Sequence, residues 1–242
     1  MDKGIEYIER FHPTVFLFEN VKALTYKKHR DYYDSVLERL RQIKDRETSS
    51  SAYIVKSRVL NAKDFGVAQS RPRVFMIGFL RNRRINKFRW PRKVAACQVD
   101  AILGPPDAQM AACPKIVQQG ASKSQIRNLM AGIENIAERG GDPIHEPWFI
   151  GIHASEKRCS VTRGVCPCLT KRRAEDKGFY VSDRGRLLTT EEMLSLQGVP
   201  PGRLIKPANI RQRKFDGCIG NAVAVPVLAA LILELCIAVG FL

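Results

Sequence analysis

Residues 13–24 read PTVFLFENVKAL, a stretch in which an apolar run stops at an acid and an amide. The run TVFLF at 14–18 is typical of a strand covered on both faces, as in the sheets of α/β proteins. Glu19 and Asn20 follow it directly. Because a carboxylate at the end of a buried strand is costly to desolvate unless it is paired or used, Glu19 is a candidate functional acid. The structural alternative is an acid that caps the next helical turn or pairs with an arginine.

The patterns around this strand predict part of an α/β domain. Apolar residues recur at helical spacing in 2–11 and 31–47, and strand patterns occupy 53–60 and 73–80, joined by a turn-forming loop. Three strands cannot cover TVFLF on both edges and both faces. Further residues or a partner must therefore complete the sheet.

Periodicity weakens in the middle of the chain and returns near its end. Residues 94–165 are rich in Gly, Pro, Ala and Gln, and they predict an irregular second lobe. A short helix is expected within 187–198, LLTTEEMLSLQG. Thr189 and Glu192 stand at capping-box spacing there, and Gly198 lies at the expected C-terminal stop.

The composition indicates a globular protein with a polyanionic partner. The 242 residues are 45% hydrophobic, which is enough for a core and excludes a chain disordered by composition. The net charge of +16 favours nucleic acid as the partner. The alternative is an ordinary protein that happens to be basic.

Seven cysteines without a secretory signal indicate reduced thiols and an intracellular location. Cys159, Cys166 and Cys168 lie close together in the sequence with His153 nearby. The Cys-Pro-Cys spacing differs from the usual two-residue spacer of zinc sites, so no metal is predicted.

The C-terminal stretch 222–242, AVAVPVLAALILELCIAVGFL, has the length and hydropathy of a membrane span. Pro226 and Glu234 interrupt it, and no basic anchor follows. A buried core helix is the better interpretation, and no membrane is predicted.

Four blocks, in this order, resemble the C-terminal blocks of the DNA cytosine-5 methyltransferases: FENVKAL (18–24), NAKDFGVAQSRPRVFMIGF (61–79), RLLTTEEMLSLQGVPPGR (186–203) and GNAVAVPVL (220–228). The resemblance implies an α/β fold, namely the C-terminal part of a class I S-adenosylmethionine-dependent methyltransferase (Rossmann-like) domain with an inserted target-recognition lobe. The implied segments are 1–80, partial catalytic domain; 81–165, recognition lobe; and 166–242, return to the catalytic domain.

The chemistry of that family explains the acid. A cysteine thiolate adds to C6 of a flipped-out cytosine, and a carboxyl group in a dry pocket stabilises the ring at N3. Glu19 matches that carboxyl group. Arg71 and Arg73, which alternate in a Q-x-R-x-R pattern, match residues that line the cytosine pocket. Their structural alternative is a solvated pair at a strand edge.

The resemblance also implies contacts with the methyl donor and with DNA. Gly220 to Val223 are expected to open the last helix, and Asn221, Ala222 and Val223 to touch S-adenosylmethionine. Arg186, Thr189 and Glu192 match a block that braces the recognition lobe. DNA contact is predicted for the basic run 81–93 and for a Leu-Thr pair, with these residues: Arg81, Arg83, Arg84, Lys87, Leu169 and Thr170. A solvated charged face is the alternative for the run.

The blocks that the family carries before the strand TVFLF are missing from the chain. No Gly-rich turn precedes the strand, and the first cysteine, Cys97, lies after the strand instead of before it, so it does not match the Pro-Cys nucleophile. The chain is therefore expected to need a partner chain or segment that supplies this N-terminal half. A split enzyme, a fragment and an inactive relative remain open.

The function predicted is the C-terminal portion of a DNA cytosine-5 methyltransferase, acting in the nucleus or nucleoid. Two alternatives stay open. One is a non-catalytic nucleic-acid-binding or scaffold protein, and the other is a transfer-RNA cytosine-5 methyltransferase of the same superfamily. The size of the insert suits DNA better than a minimal RNA enzyme.

Overall fold

A computed structural model describes residues 1–83, 86–105, 121–154 and 159–242. In chain order the α-helices are α1 (Asp2–Phe11), α2 (Arg30–Gln42), α3 (Lys123–Glu138), α4 (Lys171–Glu175), α5 (Thr190–Ser195), α6 (Gln212–Asn221) and α7 (Val225–Val239). The strands are β1 (Val15–Val21), β2 (Tyr53–Asn61), β3 (Pro72–Leu80), β4 (Trp148–Ile150), β5 (Val161–Arg163), β6 (Tyr180–Val181) and β7 (Arg186–Leu187). The helices and strands expected from the blocks are present, and the fold is mixed α/β.

The chain divides into two compact units. The first unit comprises Met1–Asn61, Pro72–Lys93 and Val227–Leu242, and the second comprises Ala62–Arg71 and Val94–Pro226. The three functional segments expected from the sequence, 1–80, 81–165 and 166–242, remain predictions.

The first unit is built on a three-stranded antiparallel sheet in the order β1-β3-β2. Its register runs from Val15 opposite Phe79 to Val21 opposite Arg73. The predicted pairing of the strands at 53–60 and 73–80 is confirmed. The central strand is β3, which is buried on both faces from Val74 to Leu80.

The described residues do not cover β1 on both edges and both faces, and the prediction that further residues or a partner complete the sheet stays a prediction. Within the described residues β1 lies at an edge of the sheet and pairs only with β3. Phe16 is its one buried residue. Its ring lies over Gly78, where an added Cβ would come within 2.0 Å of the ring. The aromatic residues of the apolar run, Phe16 and Phe18, therefore pack in the cluster that α1 and α2 form with β3.

Helices α1 and α2 pack on one face of this sheet. Ile5 and Ile8 of α1 join Val36, Leu37 and Leu40 of α2 in a cluster that also contains residues of β3. The polar face of α2 stays exposed, as its amphipathic pattern predicts.

The second unit contains a four-stranded antiparallel sheet in the order β5-β4-β6-β7. The expectation of an irregular lobe is corrected by α3, a 16-residue helix that begins with a capping box between Ser122 and Gln125. The buried face of α3 carries Asn128 and Gly132 beside Leu129 and Ile136. A polar residue and a glycine on that face dilute the apolar periodicity, because Asn128 bonds backbone carbonyls and Gly132 makes room for Ile150.

The capping box of α5 and its C-terminal stop are confirmed. Thr189 accepts a hydrogen bond from the backbone N–H of Glu192, and the Glu192 side chain accepts one from the backbone N–H of Thr189. Gly198 has a φ of 79°, in the left-handed region.

Residues 220–223 do not open the last helix, as the sequence suggested. Asn221 ends α6, and α7 begins only at Val225. Ala222 has an extended backbone and separates the two helices, and Pro226 lies in the first turn of α7, where the N–H that proline lacks would have no partner within the helix. No single helix in the described part of the chain is long and apolar enough to cross a bilayer, and α6 and α7, bent by 43°, meet the length and composition criteria only as a pair.

Candidate functional site

An ion pair joins the ends of β1 and β3. The Nε atom of Arg73 lies 2.9 Å from Oε1 of Glu19. Glu19 stands opposite Phe75 in the antiparallel register, so Arg73 is its diagonal neighbour on the same face of the sheet. The two side chains are 28% and 13% exposed, respectively. The carboxylate is thus held by a cation while part of its surface stays open.

Arg71 lies two residues from Arg73 but belongs to the second unit. It is 3% exposed. Its guanidinium group donates to the carbonyl oxygens of Leu169, Gly220 and Ala222 at 2.6, 3.0 and 2.6 Å. Sequence reasoning predicted that Arg71 lines a base pocket, whereas in this structure its guanidinium group contacts these backbone oxygens and the Cys168 sulfur.

The two segments that Arg71 contacts also touch each other. Thr170 caps the N-terminus of α4 by accepting from the backbone N–H of Arg173. Gly220 is buried, and a Cβ added there would lie 2.4 Å from the carbonyl oxygen of Thr170. Asn221 beside it is exposed, and Ala222 and Val223 are partly exposed.

Gln69 is a fully buried member of the Q-x-R-x-R pattern. Its amide donates to the carbonyl of Leu196 at 2.9 Å and accepts from the backbone N–H of Leu169 at 3.4 Å. Each end of the amide thus holds a different backbone segment of the second unit. This explains why the pattern begins with an amide instead of an acid.

The residues predicted to contact DNA differ in exposure. Arg81, Arg83 and Lys87 are exposed, Thr170 is exposed, and Arg84 lies outside the described residues. Leu169 is fully buried in the core of the second unit. A buried side chain offers no surface to DNA, so contact through Leu169 is not expected of this conformation.

The aromatic residues of the basic run, Phe88 and Trp90, pack against the first unit. Phe88 is buried and packs against Phe79 at 5.1 Å between ring centroids, and Trp90 packs on Phe88 at 5.2 Å. The guanidinium of Arg58 lies 5.9 Å from the Trp90 ring. These contacts anchor the run, and the cations of the run that the structure describes are exposed.

The cysteines form no metal cluster in the part of the chain that the structure describes, and the most deeply buried of them, Cys166, is unsuited to act as a nucleophile. No group of three or more His, Cys, Asp or Glu side chains there is placed to hold a metal ion. Complete burial raises the pKa of the Cys166 thiol well above its usual value. A raised pKa disfavours the thiolate that a nucleophile requires.

Glu192 organises one polar network of the second unit. Both of its carboxylate oxygens accept from Arg186, at 2.8 and 2.7 Å. The carboxylate also accepts from the backbone N–H groups of Gly104 and Thr189. Burial acts to raise the pKa of Glu192, but these donors outweigh it and the pKa is lowered. The predicted bracing role therefore has a physical basis within this unit.

Sequence reasoning missed a second buried acid, Asp216. It is fully buried and accepts from Lys177 at 2.7 Å, from Thr190 at 2.9 Å and from Gln212 at 2.9 Å. These contacts join α5 and α6 to the segment after α4. Nothing in the local pattern of RKFDGCIGN marks Asp216 as different from a surface acid.

Comparison with known proteins gives one family over nearly the whole chain. A family model described as C-5 cytosine-specific DNA methylase matches residues 3–236. The type II methyltransferase M.NgoBI of Neisseria gonorrhoeae is 29% identical over 93% of this chain and 62% of its own length. M.HpaII of Haemophilus parainfluenzae is 31% identical over 93% of this chain and 61% of its own length. The chain thus spans about three fifths of the length of these curated relatives.

Solved methyltransferase structures share the fold. A putative DNA modification methyltransferase from an Escherichia coli prophage has a TM-score of 0.61 at 17% identity, covering 98% of this chain and 72% of that one. The Entamoeba histolytica methyltransferase EhMeth has a TM-score of 0.54 at 14% identity, covering 97% and 68%.

Proposed function

The chain belongs to the C-5 cytosine-specific DNA methylase family, and we propose that it is the C-terminal portion of a DNA cytosine-5 methyltransferase. In this proposal the complete enzyme transfers a methyl group to C5 of a cytosine flipped out of DNA. The observation that carries it is the ion pair between Glu19 and Arg73 at the ends of two adjacent strands.

The proposed role of Glu19 follows from its surroundings. Its carboxyl group is partly exposed, so it can meet a base, and Arg73 holds it in one orientation. When a nucleophile adds at C6, negative charge develops on the ring, and a group that donates a hydrogen bond or proton at N3 stabilises it. Arg73 can in addition hold the cytosine O2, because its guanidinium carries further donors.

S-adenosylmethionine supplies the methyl group when it is bound. The break between α6 and α7 fits one edge of such a molecule, because Asn221 presents an exposed amide and Ala222 and Val223 are partly exposed. We propose that Asn221, Ala222 and Val223 contact it.

The nucleophilic cysteine is proposed to come from a separate segment or chain that completes the domain. Two surfaces of the first unit support this proposal. Within the described residues the outer edge of β1 pairs with no strand. Helix α7 exposes Ile232, Leu233 and Ile237 by 47, 51 and 39%. An unpaired strand edge and an exposed apolar helix face are features that partners cover.

A methyl-transfer assay tests the proposal. The chain is combined with the N-terminal third of M.NgoBI or with the segment encoded beside it, and radiolabel from the donor is measured in DNA and in RNA. Changing Glu19→Gln or Arg73→Ala is expected to lower the rate by about 10²–10⁴-fold, the usual contribution of acid–base groups. Glu9→Gln, an exposed acid on α1, serves as the control. Equal rates in all variants would show that Glu19 and Arg73 do not act in methyl transfer. Incorporation of label into RNA alone would favour the transfer-RNA alternative.

A non-catalytic nucleic-acid-binding role is the second candidate, and the net charge of +16 with exposed Arg81, Arg83 and Lys87 favours it. It predicts that this chain alone binds DNA with an affinity that falls steeply with salt. In either case DNA as the partner implies action in a nucleus or nucleoid.

A further inference from the structure

We infer that Arg71 is a positioning residue that locks the segment around Thr170, predicted from the sequence to contact DNA, to the turn proposed to contact the methyl donor. The inference rests on the proposed function for the roles of these two segments. The hydrogen bonds from Arg71 to both segments are observed in the structure and do not depend on that proposal.

The two segments are joined by one guanidinium group. Nη1 of Arg71 donates to the carbonyl of Leu169, which directly precedes the helix cap Thr170. Nη2 donates to the carbonyls of Gly220 and Ala222, on either side of Asn221. A planar guanidinium presents its donors in a fixed fork, so the carbonyls that it binds are held in one relative arrangement.

The positive charge of Arg71 lies at the C-terminal end of α6, where it stabilises the helix end. Gly220 and Ala222 lie at the C-terminal end of α6, where backbone carbonyls lack partners within the helix and carry partial negative charge. A buried cation at this end satisfies them. Hydrogen bonds from a charged donor are stronger than those between neutral groups.

The backbones of the two segments approach each other so closely at Gly220 that little change in their relative position is tolerated. Because a Cβ at position 220 would lie 2.4 Å from the carbonyl oxygen of Thr170, only glycine allows the two segments to meet. Arg71 joins the same two segments through its hydrogen bonds to the carbonyls of Leu169, Gly220 and Ala222. A change at either residue is therefore expected to disturb both segments.

Burial separates this role from direct contact with the base. Arg71 is 3% exposed, and both terminal nitrogens donate to backbone oxygens. Arg73, by contrast, faces a partly exposed carboxylate. In this proposal the two arginines of the Q-x-R-x-R pattern have different roles: Arg73 contacts the base, and Arg71 positions backbone segments of the second unit.

Hydrogen–deuterium exchange of the full chain tests the lock without any need for activity. In Arg71→Lys and Arg71→Ala, amide protection is expected to fall together in 168–173 and in 218–224, while β1 and α2 in the other unit keep theirs. Arg73→Ala is the matched control, and both segments should stay protected in it. Ethylguanidinium at millimolar concentration should restore protection in Arg71→Ala, and ethylammonium should not.

The outcomes separate the possible roles. Unchanged protection in both segments, or a loss confined to one of them, overturns the inference. If Arg71→Ala loses protection throughout the second unit and ethylguanidinium does not restore it, Arg71 is only a general stabilising residue and the inference also fails. Arg71→Lys, which keeps the charge but loses the fork, decides between charge and geometry.

Kinetics of the completed enzyme give an independent measure. Arg71→Lys is expected to raise KM for the donor and for DNA by about tenfold with little change in kcat, because it disturbs binding surfaces instead of the chemical step. A fall in kcat with unchanged KM would overturn the inference. If no variant, including the parent, methylates DNA, the proposed function fails, and the exchange experiment still decides about the lock.

Discussion

Glu192 shows how a single buried carboxylate makes the stability of the second unit depend on pH. Its pKa is lowered from an ordinary value of 4.5 because the donors around the carboxylate outweigh the effect of burial. A lowered pKa means that the folded state favours the charged form. The stability that this group contributes is therefore complete above pH 4.5 and is lost as the pH falls through the folded-state pKa.

The lowered pKa of Glu192 predicts how the stability of a Glu192→Gln variant compares with that of the parent at different pH values. Glu192→Gln should be less stable than the parent at pH 7, and the difference in free energy of unfolding should shrink as the pH falls below 4.5. Urea unfolding at pH 7 and near pH 4 measures it. Glu138→Gln, at the exposed last position of α3, is the matched control and should change the free energy of unfolding at pH 7 less than Glu192→Gln does. A Glu192→Gln difference that widens in acid would contradict the assignment.

At the scale of single residues, the sequence marked the ion pair of the first unit but not the polar networks of the second. Glu19 was predicted because a charged group ends an apolar strand pattern, and Arg73 because it alternates with Gln69 and Arg71 in a Q-x-R-x-R pattern; the structure pairs the two side chains. Asp216 was missed because its burial depends on Lys177 and Thr190, which lie 39 and 26 residues away. Local pattern carries no information about such partners.

At the scale of elements, Gly198 sets the end of α5 by two separable effects. Its φ of 79° is strained for any residue with a side chain, and a Cβ there would also lie 2.3 Å from Cδ of Pro226. Gly202 has a φ of 73° and nothing within 4 Å of an added Cβ. A comparison of substitutions at Gly198 and Gly202 therefore separates the cost of backbone strain from the cost of the steric clash with Pro226.

Alanine substitutions at these two glycines should differ in cost. Gly202→Ala is expected to destabilise by about 1–2 kcal/mol, the cost of a left-handed conformation for alanine. Gly198→Ala should cost about 1–3 kcal/mol more, because the break before α7 must shift to relieve the contact. Chemical denaturation measures both. Equal costs would show that the contact with Pro226 relaxes freely.

The elements that sequence reasoning predicted best are those with a chemical marker at their ends. Thr189, Glu192 and Gly198 mark α5, and alternating or continuous apolar runs mark β2 and β3. Helix α3 carries Asn128 and Gly132 on its buried face, and these residues weaken the pattern that would have revealed it. Their suitability depends on carbonyls at Ile152 and Ala154 and on the side chain of Ile150.

At the scale of the whole molecule, the exposed apolar face of α7 is a candidate docking surface for the segment proposed to complete the domain. Ile232→Glu with Leu233→Glu should weaken binding of that segment by at least about tenfold, since a charge in an apolar interface is costly to desolvate. Both side chains are about half buried, so loss of that burial should also lower the free energy of unfolding of the isolated chain by about 1.5–3 kcal/mol in total, and binding is therefore measured where both proteins are fully folded.

Titration of the segment, followed by fluorescence anisotropy, measures this effect. Ile205→Glu is the control, because Ile205 is 83% exposed and lies in the other unit. Unaltered binding in the double variant would show that α7 does not form the docking surface. A loss of self-association in place of segment binding would instead assign the face to a second copy of the chain.

The sequence by itself determined the family, the strands that carry Glu19 and Arg73, and the capping box of α5, because each of these is written in residues close together in the chain. Tertiary structure alone decided that β1 lies at an edge of the described sheet, that residues 220–223 lie at a break between two helices, and that Arg71 binds backbone carbonyls. Arg71 meets Leu169 and Gly220 across 98 and 149 residues of sequence. The physical reason is that local patterns report short-range preferences, whereas the partner of a buried charge is chosen by whichever distant groups the packed core brings within hydrogen-bonding distance.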